Sequence, residues 1–248
     1  MLIKIPYGKS EIKIDIADSN ILDVVPRETT DPGVDERLVI SEALSDPIMS
    51  KPLSELAKKK TSACILASDI TRPCPSYKFL PSLIEELVSG GMDLSSVKVI
   101  LGLGIHRGHT DEEKKRLVGK DIFRTVKVID SDASRAKLIG KTSRGTPVEV
   151  FEEALGNDIL IATGNIEYHY FAGYSGGAKA VMPGVCTRNS IQANHSMMLD
   201  DSAASAKVTG NPVREDIDEA GKMAGIDFIF NVILDDNKNI IDAVAGKD

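Results

Sequence analysis

Short apolar runs that alternate with amphipathic stretches dominate the middle of the chain. Residues 63–67 are continuously apolar and end at Ser68-Asp69, as is typical of a buried parallel strand. The next stretch, residues 75–88, has helical periodicity and stops at Gly90-Gly91. Because this strand-then-helix order recurs, the pattern predicts an α/β fold with a mainly parallel sheet and helices on both faces.

The same periodicities predict the other elements. Alternation in residues 2–6 and 11–16, followed by a short run at 21–25, predicts a small β-rich entry. Residues 137–141 and 147–151 predict a hairpin. The remaining predicted strands are 97–103, 126–129, 158–162, 227–234 and 240–244, and the remaining predicted helices are 34–44, 52–60, 111–117, 188–198 and 214–224.

Charge and composition exclude several classes of protein. The 248 residues carry a formal net charge of −7, which argues against a nucleic acid or an anionic membrane surface as a partner. No apolar run approaches the roughly eighteen residues of a membrane span, and residues 1–16 lack a signal-peptide core, so we expect a cytoplasmic protein. The three cysteines stand at unrelated spacings, which is not typical of a disulfide framework.

The reactive side chains concentrate in residues 164–195. Two of the four histidines, His169 and His195, lie there, and a turn from Gly173 to Gly177 between them leads to Lys179. Glycines let backbone N–H groups and an ammonium be presented together, which favours a pocket for an anionic group. The spacing matches neither a P-loop nor a helical H-E-x-x-H zinc site. A covalently held or metal-bearing cofactor suits this set better than a nucleoside triphosphate.

Further polar residues follow predicted strands. Asp69 and Arg72 come after one strand, His106 after another, and His169 after the strand that ends near residue 163. Ligands of open α/β sheets bind beyond the carboxyl ends of the strands, so we expect these residues to converge. Without other information, Arg72 would pair with Asp69, and Lys179 would be an ordinary surface lysine.

Three blocks of sequence carry a family resemblance. The first two are Ser68-Asp69-Ile70-Thr71-Arg72-Pro73 and Gly104-Ile105-His106-Arg107, and the third is residues 169–180 (HYFAGYSGGAKA), followed by Pro183-Gly184 and Ala193-Asn194-His195. In order and spacing they resemble the lactate racemase family that uses a nickel-pincer nucleotide. One departure is Ala178, where the resemblance leads us to expect a basic residue, so that an anion contact would be weakened.

The resemblance implies a role for each of these residues. Lys179 would hold the cofactor through a thioamide, and His195 would ligate nickel. His106 and His169 would alternate as base and acid on the substrate hydroxyl, and Arg72 would bind the substrate carboxylate. The other cofactor-binding residues would be Ser68, Asp69, Thr71, Phe171, Gly176 and Gly177.

Two of those contacts are specified further by the resemblance. The Asp69 carboxylate would bind ribose hydroxyls of the nucleotide, and Phe171 would stack on the cofactor ring. The chain would then be a racemase or epimerase of a 2-hydroxy acid, working by proton-coupled hydride transfer. Protein made without the enzymes that build the cofactor would lack it.

The resemblance also implies partners and a domain arrangement. Residues 1–248 are expected to form the N-terminal cofactor-binding and catalytic domain of a two-domain racemase, with a C-terminal domain absent from this chain. A small 2-hydroxy acid, that C-terminal domain and the cofactor maturation proteins are the expected partners. A non-catalytic cofactor-binding or carrier domain remains an alternative. A zinc-dependent hydrolase is disfavoured because the histidines are dispersed.

Overall fold

The structure is a computed structural model that describes residues 1–8, 10–24, 33–72 and 74–247, except for the side chain of Pro6. The chain divides into two compact units, Met1–Pro32 and Gly33–Asp248. The first unit contains an antiparallel hairpin of β1 (Leu2–Tyr7) and β2 (Ser10–Asp15). The predicted β-rich entry is therefore confirmed for these strands.

The prediction of a third strand at residues 21–25 is wrong for residues 21–24, which the structure describes. Residues 21–24 have no regular structure, and among the described residues no strand pairs with them. Leu22 is fully exposed. Residue 25 lies outside the described residues. In the hairpin itself, Ile3 faces Ile14 and Ile5 faces Ile12, so the alternation places these isoleucines on one face.

The second unit contains the α/β elements predicted from the pattern, with several additions. Its helices are α1 (Glu36–Ser45), α2 (Leu53–Ala57), α3 (Ser76–Ser89), α4 (Asp111–Val118), α5 (Lys120–Thr125), α6 (Arg188–Ser196) and α7 (Pro212–Ala224). Its strands are β3 (Ala63–Ser68), β4 (Val97–Gly102), β5 (Lys127–Asp130), β6 (Ala136–Lys141), β7 (Pro147–Phe151), β8 (Ile159–Asn165), β9 (Tyr168–His169), β10 (Gly173–Tyr174), β11 (Phe228–Leu234) and β12 (Ile240–Gly246).

The structure differs from the prediction in three further places. The helix predicted at 52–60 ends at Ala57, because Lys58 is extended and Lys59 has a φ of +63°, which no helix accommodates. The short helix α5 and the two-residue strands β9 and β10 were not predicted, since their length is too small for a periodic pattern. The helix predicted to reach residue 198 ends at Ser196 and continues as a 3₁₀ turn.

The central sheet has six strands in the order β12-β11-β8-β3-β4-β5. All neighbours pair in parallel except β11 and β12, which form an antiparallel hairpin at one edge. The predicted mainly parallel sheet is confirmed. The hairpin predicted at residues 137–151 is also present, as the antiparallel pair β6 and β7.

Helices cover both faces of this sheet, as predicted. Alternate residues of β3 point to opposite cores: Ala63 and Ile65 face helices α1 to α5, whereas Cys64 and Leu66 face α6, α7 and the β6–β7 hairpin. All four side chains have no solvent exposure, which explains why the strand reads as continuously apolar. Within the described ranges, no helix has the length and apolar character needed to cross a membrane.

A close approach of two glycines fixes the carboxyl edge of the sheet. A Cβ built on Gly102, the last residue of β4, would lie 2.9 Å from the Cα of Gly184, and one built on Gly184 would lie 2.2 Å from the carbonyl oxygen of Ala180. The Gly104 N–H donates to the Gly184 carbonyl oxygen at 2.8 Å. The loop that follows Lys179 is thereby held directly against β4.

This contact predicts the effect of adding one methyl group. Gly102→Ala should lower the free energy of unfolding by about 1–3 kcal/mol, because the nearest atoms are backbone and cannot move aside separately. Denaturant unfolding would measure the change. A matched control is Gly164→Ala in β8, where the new Cβ would meet its nearest neighbours at an ordinary 3.5 Å. Equal stability losses in both variants would contradict the proposed contact.

Candidate active site

A cavity of about 310 Å³ lies beyond the carboxyl ends of β3, β4 and β8. Ser68, the last residue of β3, lines the cavity together with Asp69 and Arg72. His106, from the loop after β4, lines it as well. Open α/β sheets bind their ligands at this edge, and the predicted convergence of the separate sequence blocks is confirmed.

The glycine-rich stretch and helix α6 supply the opposite wall. It includes His169 of β9, Phe171, Gly176, Lys179 and, from α6, His195. Two predicted site residues do not line the cavity. The Thr71 hydroxyl is bonded to Asp69, and the buried Gly177 donates its N–H to the Asn231 side chain at 3.2 Å. Pro73 of the first block lies outside the described residues.

Asp69 and His106 form a carboxylate–imidazole pair. Asp69 is 3% exposed, and its Oδ2 lies 2.6 Å from His106 Nδ1. Its Oδ1 accepts from the Thr71 hydroxyl at 2.8 Å. Because a carboxylate only accepts, the proton of neutral His106 is on Nδ1, and Nε2 carries a lone pair. The pair is arranged so that His106 can act as a base.

These contacts bear on two expectations. Arg72 does not pair with Asp69: Asp69 bonds to His106 and Thr71, and within the described residues the Arg72 guanidinium makes no ion pair. Arg72 is therefore a cation that lines the cavity and is open to an anionic ligand. The contact of Asp69 with ribose hydroxyls stays a prediction, although both carboxylate oxygens already accept hydrogen bonds from the protein.

His169 has the opposite arrangement. It is 8% exposed, and its Nδ1 accepts from the Ala172 N–H at 3.3 Å, which leaves the proton on Nε2. Burial, followed by repulsion from the nearby Lys179, Arg72 and His195, lowers the pKa of His169 from 6.5 to about 4. The neutral imidazole therefore predominates near pH 7.

Lys179 is partly buried in the wall of the cavity. Burial lowers the pKa of its ammonium from 10.5 to about 7, with repulsion from Arg72 and Arg214 acting in the same sense and Glu167 opposing it. Across the described part of the chain, its Nζ makes no hydrogen bond or ion pair. Lys179 is thus an amine with a large neutral fraction, and the ordinary surface lysine considered from the sequence is wrong.

His195 packs its ring against Phe171, with ring centroids 4.9 Å apart. Burial, followed by Lys179 and Arg72, lowers its pKa. Among the described residues, no three His, Cys, Asp or Glu side chains lie together as a metal site.

His109, which the sequence by itself favours as a hydrogen-bonded polar residue of a loop, joins the loops of the site. His109 donates from Nδ1 to Asp130 Oδ1 at 2.7 Å, and its Nε2 accepts from the Ile70 N–H at 3.1 Å. It connects the end of β5 to the loop that carries Asp69 and Arg72. No spacing indicated this connection, because its partners are distant in sequence.

The departure at Ala178 has a structural explanation. Ala178 is 4% exposed and faces α7, where a Cβ at Gly221 would come within 2.6 Å of the Ala178 Cβ. It is not among the residues that line the active-site cavity. A basic side chain at this position would meet α7, so the alanine does not remove a cation from the cavity wall.

A known family matches most of this chain. A family described as the lactate racemase N-terminal domain matches residues 7–207. The chain belongs to this family. Lactate racemases from Thermoanaerobacterium thermosaccharolyticum and Lactiplantibacillus plantarum are each 35% identical to it over 251 aligned residues. The alignments cover 98% of this chain but 59% of each of those proteins, so the chain spans less than two thirds of their length.

Two solved structures have folds similar to that of this chain. The structure of the lactate racemase apoprotein from T. thermosaccharolyticum is 34% identical and superposes with a TM-score of 0.85, covering 99% of this chain and 59% of that one. A protein from Thermotoga maritima has a TM-score of 0.66 at 18% identity, over 88% of this chain and 56% of its own. The second likeness concerns the fold alone.

The first prediction for this site concerns the pKa of His169, which the positive charges in the cavity help to lower. Its imidazole should titrate near pH 4, and Lys179→Ala should raise its pKa because one repelling charge is removed. With four histidines in the chain, the imidazole signals can be followed separately by NMR. Lys137→Ala, which removes a lysine with a side chain 65% exposed on β6, should leave the signal unchanged. An unaltered His169 pKa in Lys179→Ala would contradict the assigned proximity.

The same pKa sets the direction of a pH effect on stability. The folded pKa is lowered, so between about pH 6.5 and 4 the unfolded chain binds this proton more readily. The free energy of unfolding should decrease as the pH falls through this window. His169→Gln should flatten that slope relative to the wild type in chemical denaturation, and an identical slope would contradict the contribution of His169.

Proposed function

We propose that this chain carries the cofactor and substrate site of a lactate racemase-like enzyme, a racemase or epimerase of a 2-hydroxy acid. One observation carries the proposal: Lys179, Arg72, His106 and His169 meet in a single cavity at the carboxyl edge of the sheet. The 35% identity to two lactate racemases supports it. Cations for a carboxylate and imidazoles for a hydroxyl are the groups that a 2-hydroxy acid requires.

The cofactor that we propose is the nickel-pincer nucleotide, and the residues of the cavity fit it. At pH 7 about half of the Lys179 amines are neutral, against fewer than about one in a thousand for an ordinary lysine, so Lys179 is suited to a covalent thioamide link. His195 would ligate the nickel, and Phe171 would lie beside the ring. When bound, the cofactor would supply an electrophilic ring that accepts the C2 hydrogen together with its electron pair.

The residues of this chain would prepare the substrate for that loss. The Arg72 guanidinium would bind the carboxylate and orient C2. For one enantiomer, His106 Nε2 would accept the hydroxyl proton as the C2–H bond breaks, and the Asp69 carboxylate would stabilise the resulting imidazolium. Loss of the hydroxyl proton together with loss of the C2 hydrogen and its electron pair would leave a carbonyl at C2, and return of both hydrogens would restore the hydroxy acid.

His169 would serve the opposite face of the substrate, but it is not equivalent to His106. Because Nδ1 accepts from the Ala172 N–H, the proton is on Nε2, and this N–H would donate a hydrogen bond to the hydroxyl oxygen of the substrate. To accept the proton instead, the imidazole must move its own proton to Nδ1, which requires loss of the Ala172 contact. The two directions of the reaction would therefore depend differently on these histidines.

A non-catalytic cofactor-binding or carrier domain is the alternative. It would use the same residues to bind the cofactor as the proposed racemase but would not convert a substrate. The zinc-hydrolase alternative gains no support, since the described residues contain no set of three metal-binding side chains. A C-terminal domain and the proteins that build the cofactor remain the partners that we propose for the complete enzyme.

Cofactor attachment can be tested by mass spectrometry and metal analysis. Protein produced together with the cofactor-building enzymes should carry a covalent mass increment on the peptide containing Lys179, and Lys179→Ala should lose it while remaining folded. Lys137→Ala, a variant of an exposed lysine, should keep the increment. His195→Ala should retain the organic increment and lose nickel. An increment that persists in Lys179→Ala, or full nickel in His195→Ala, would refute the respective role.

The reaction itself can be followed in D₂O with the loaded, complete polypeptide. Racemisation of lactate or another 2-hydroxy acid should leave C2 almost free of deuterium, because the hydrogen does not exchange with solvent. His106→Ala and His169→Ala should each lower the rate by about 10²-fold or more. Deuterium entering C2 at the racemisation rate would exclude hydride transfer, and a loaded enzyme without turnover would favour the carrier alternative.

A further inference from the structure

A buried carboxylate that does not line the cavity is connected to His195 through Asn194. Asp216 of α7 has no solvent exposure. Its Oδ2 accepts a hydrogen bond at 2.8 Å from the amide nitrogen of Asn194, which is also fully buried. Its Oδ1 accepts from the Thr142 hydroxyl, in the turn after β6. A carboxylate in this position is costly unless it is fully hydrogen-bonded, and both of its oxygens are.

Asp216 determines which way the Asn194 amide points. The Asn194 nitrogen donates to Asp216 Oδ2 and, at 3.1 Å, to the Val213 carbonyl oxygen. Both partners only accept, so the reversed amide would place its oxygen against two other oxygens. The Asn194 oxygen must therefore face the other way, where it lies 3.0 Å from His195 Nδ1.

This orientation assigns the tautomer of His195. An amide oxygen only accepts, so His195 Nδ1 carries the proton and Nε2 carries the lone pair. A metal binds an imidazole through an unprotonated nitrogen, and ligating histidines donate their other N–H to a protein acceptor. The hydrogen bonds that join Asp216, Asn194 and His195 form a similar arrangement, in which an amide lies between the carboxylate and the imidazole.

We propose that Asn194 and Asp216 are positioning residues, which hold His195 as the Nδ1–H tautomer and thereby present Nε2 for a metal. The proposal rests on the proposed role of His195 as a metal ligand. Asn194 also ties α6 to α7 through Val213, and a merely structural role would predict a loss of stability without any change in the His195 tautomer.

The tautomer can be read in the cofactor-free protein. Long-range ¹H–¹⁵N correlation of ¹⁵N-histidine-labelled protein distinguishes the protonated from the unprotonated ring nitrogen for each of the four histidines. His195 should show a protonated Nδ1 and an unprotonated Nε2. A wild-type His195 that is predominantly Nε2–H would overturn the proposal without any variant, so the test does not depend on a mutant that folds.

Three variants separate positioning from stability. Asn194→Leu removes the acceptor and should shift His195 toward the Nε2–H form. Asn194→Asp keeps an acceptor beside Nδ1 but places two carboxylates together, so it should lose stability and retain the tautomer. The matched control is Asn189→Leu on the same helix, because the exposed Asn189 side chain donates a hydrogen bond to Glu149 and, within the described residues, none to His195. A folded Asn194→Leu protein with the wild-type tautomer would contradict the proposal.

Loaded protein supplies the second readout. Asn194→Leu should bind nickel about 10- to 100-fold more weakly while the covalent increment on Lys179 remains. Unchanged nickel affinity in this variant would overturn the positioning role even if the cofactor is attached as proposed. If the wild-type protein carried no mass increment on the Lys179 peptide, the proposed cofactor would be refuted. The tautomer measurement in the cofactor-free protein would then still test the positioning role separately.

Discussion

The approach of two backbones at the carboxyl edge of the sheet is the constraint on which the site depends. The end of β4 at Gly102 and the loop at Gly184 lie so close that Gly102 has no room for a Cβ, and the Gly104 N–H donates to the Gly184 carbonyl oxygen across the contact. This places the segment carrying Lys179 directly over the strand that leads to His106. Since the sheet also delivers Asp69 from β3, adjacent parallel strands are sufficient to gather groups that are far apart in the chain.

The contents of the cavity are electrostatically unfavourable without a ligand. Arg72, Lys179, His169 and His195 share one small volume, and their mutual repulsion adds to burial in lowering the pKa of the lysine and of both histidines. An anionic group bound among them would relieve this repulsion. Burial and, to a smaller extent, this repulsion favour a partly neutral lysine and unprotonated histidines, the forms that covalent attachment and metal or proton binding require.

Hydrogen-bond acceptors behind the imidazoles distinguish the four histidines. His106 and His109 donate directly to Asp69 and Asp130, and His195 donates to an amide that a buried carboxylate orients. His169 accepts a backbone N–H instead. One fold therefore holds histidines in opposite tautomers around one cavity, and the difference arises entirely from what faces Nδ1.

The sequence by itself determined the parallel sheet, its covering helices and most of the cavity wall. Buried parallel strands must be continuously apolar, and polar residues such as Asp69 directly after them necessarily collect at one edge. Only the tertiary structure decided which of these side chains are bonded to each other. Asp69 and His106 are 37 residues apart, and Asp216 and Asn194 are 22 apart. Hydrogen bonds act over about 3 Å, so such partners depend on how separate helices and loops pack, which no local periodicity encodes.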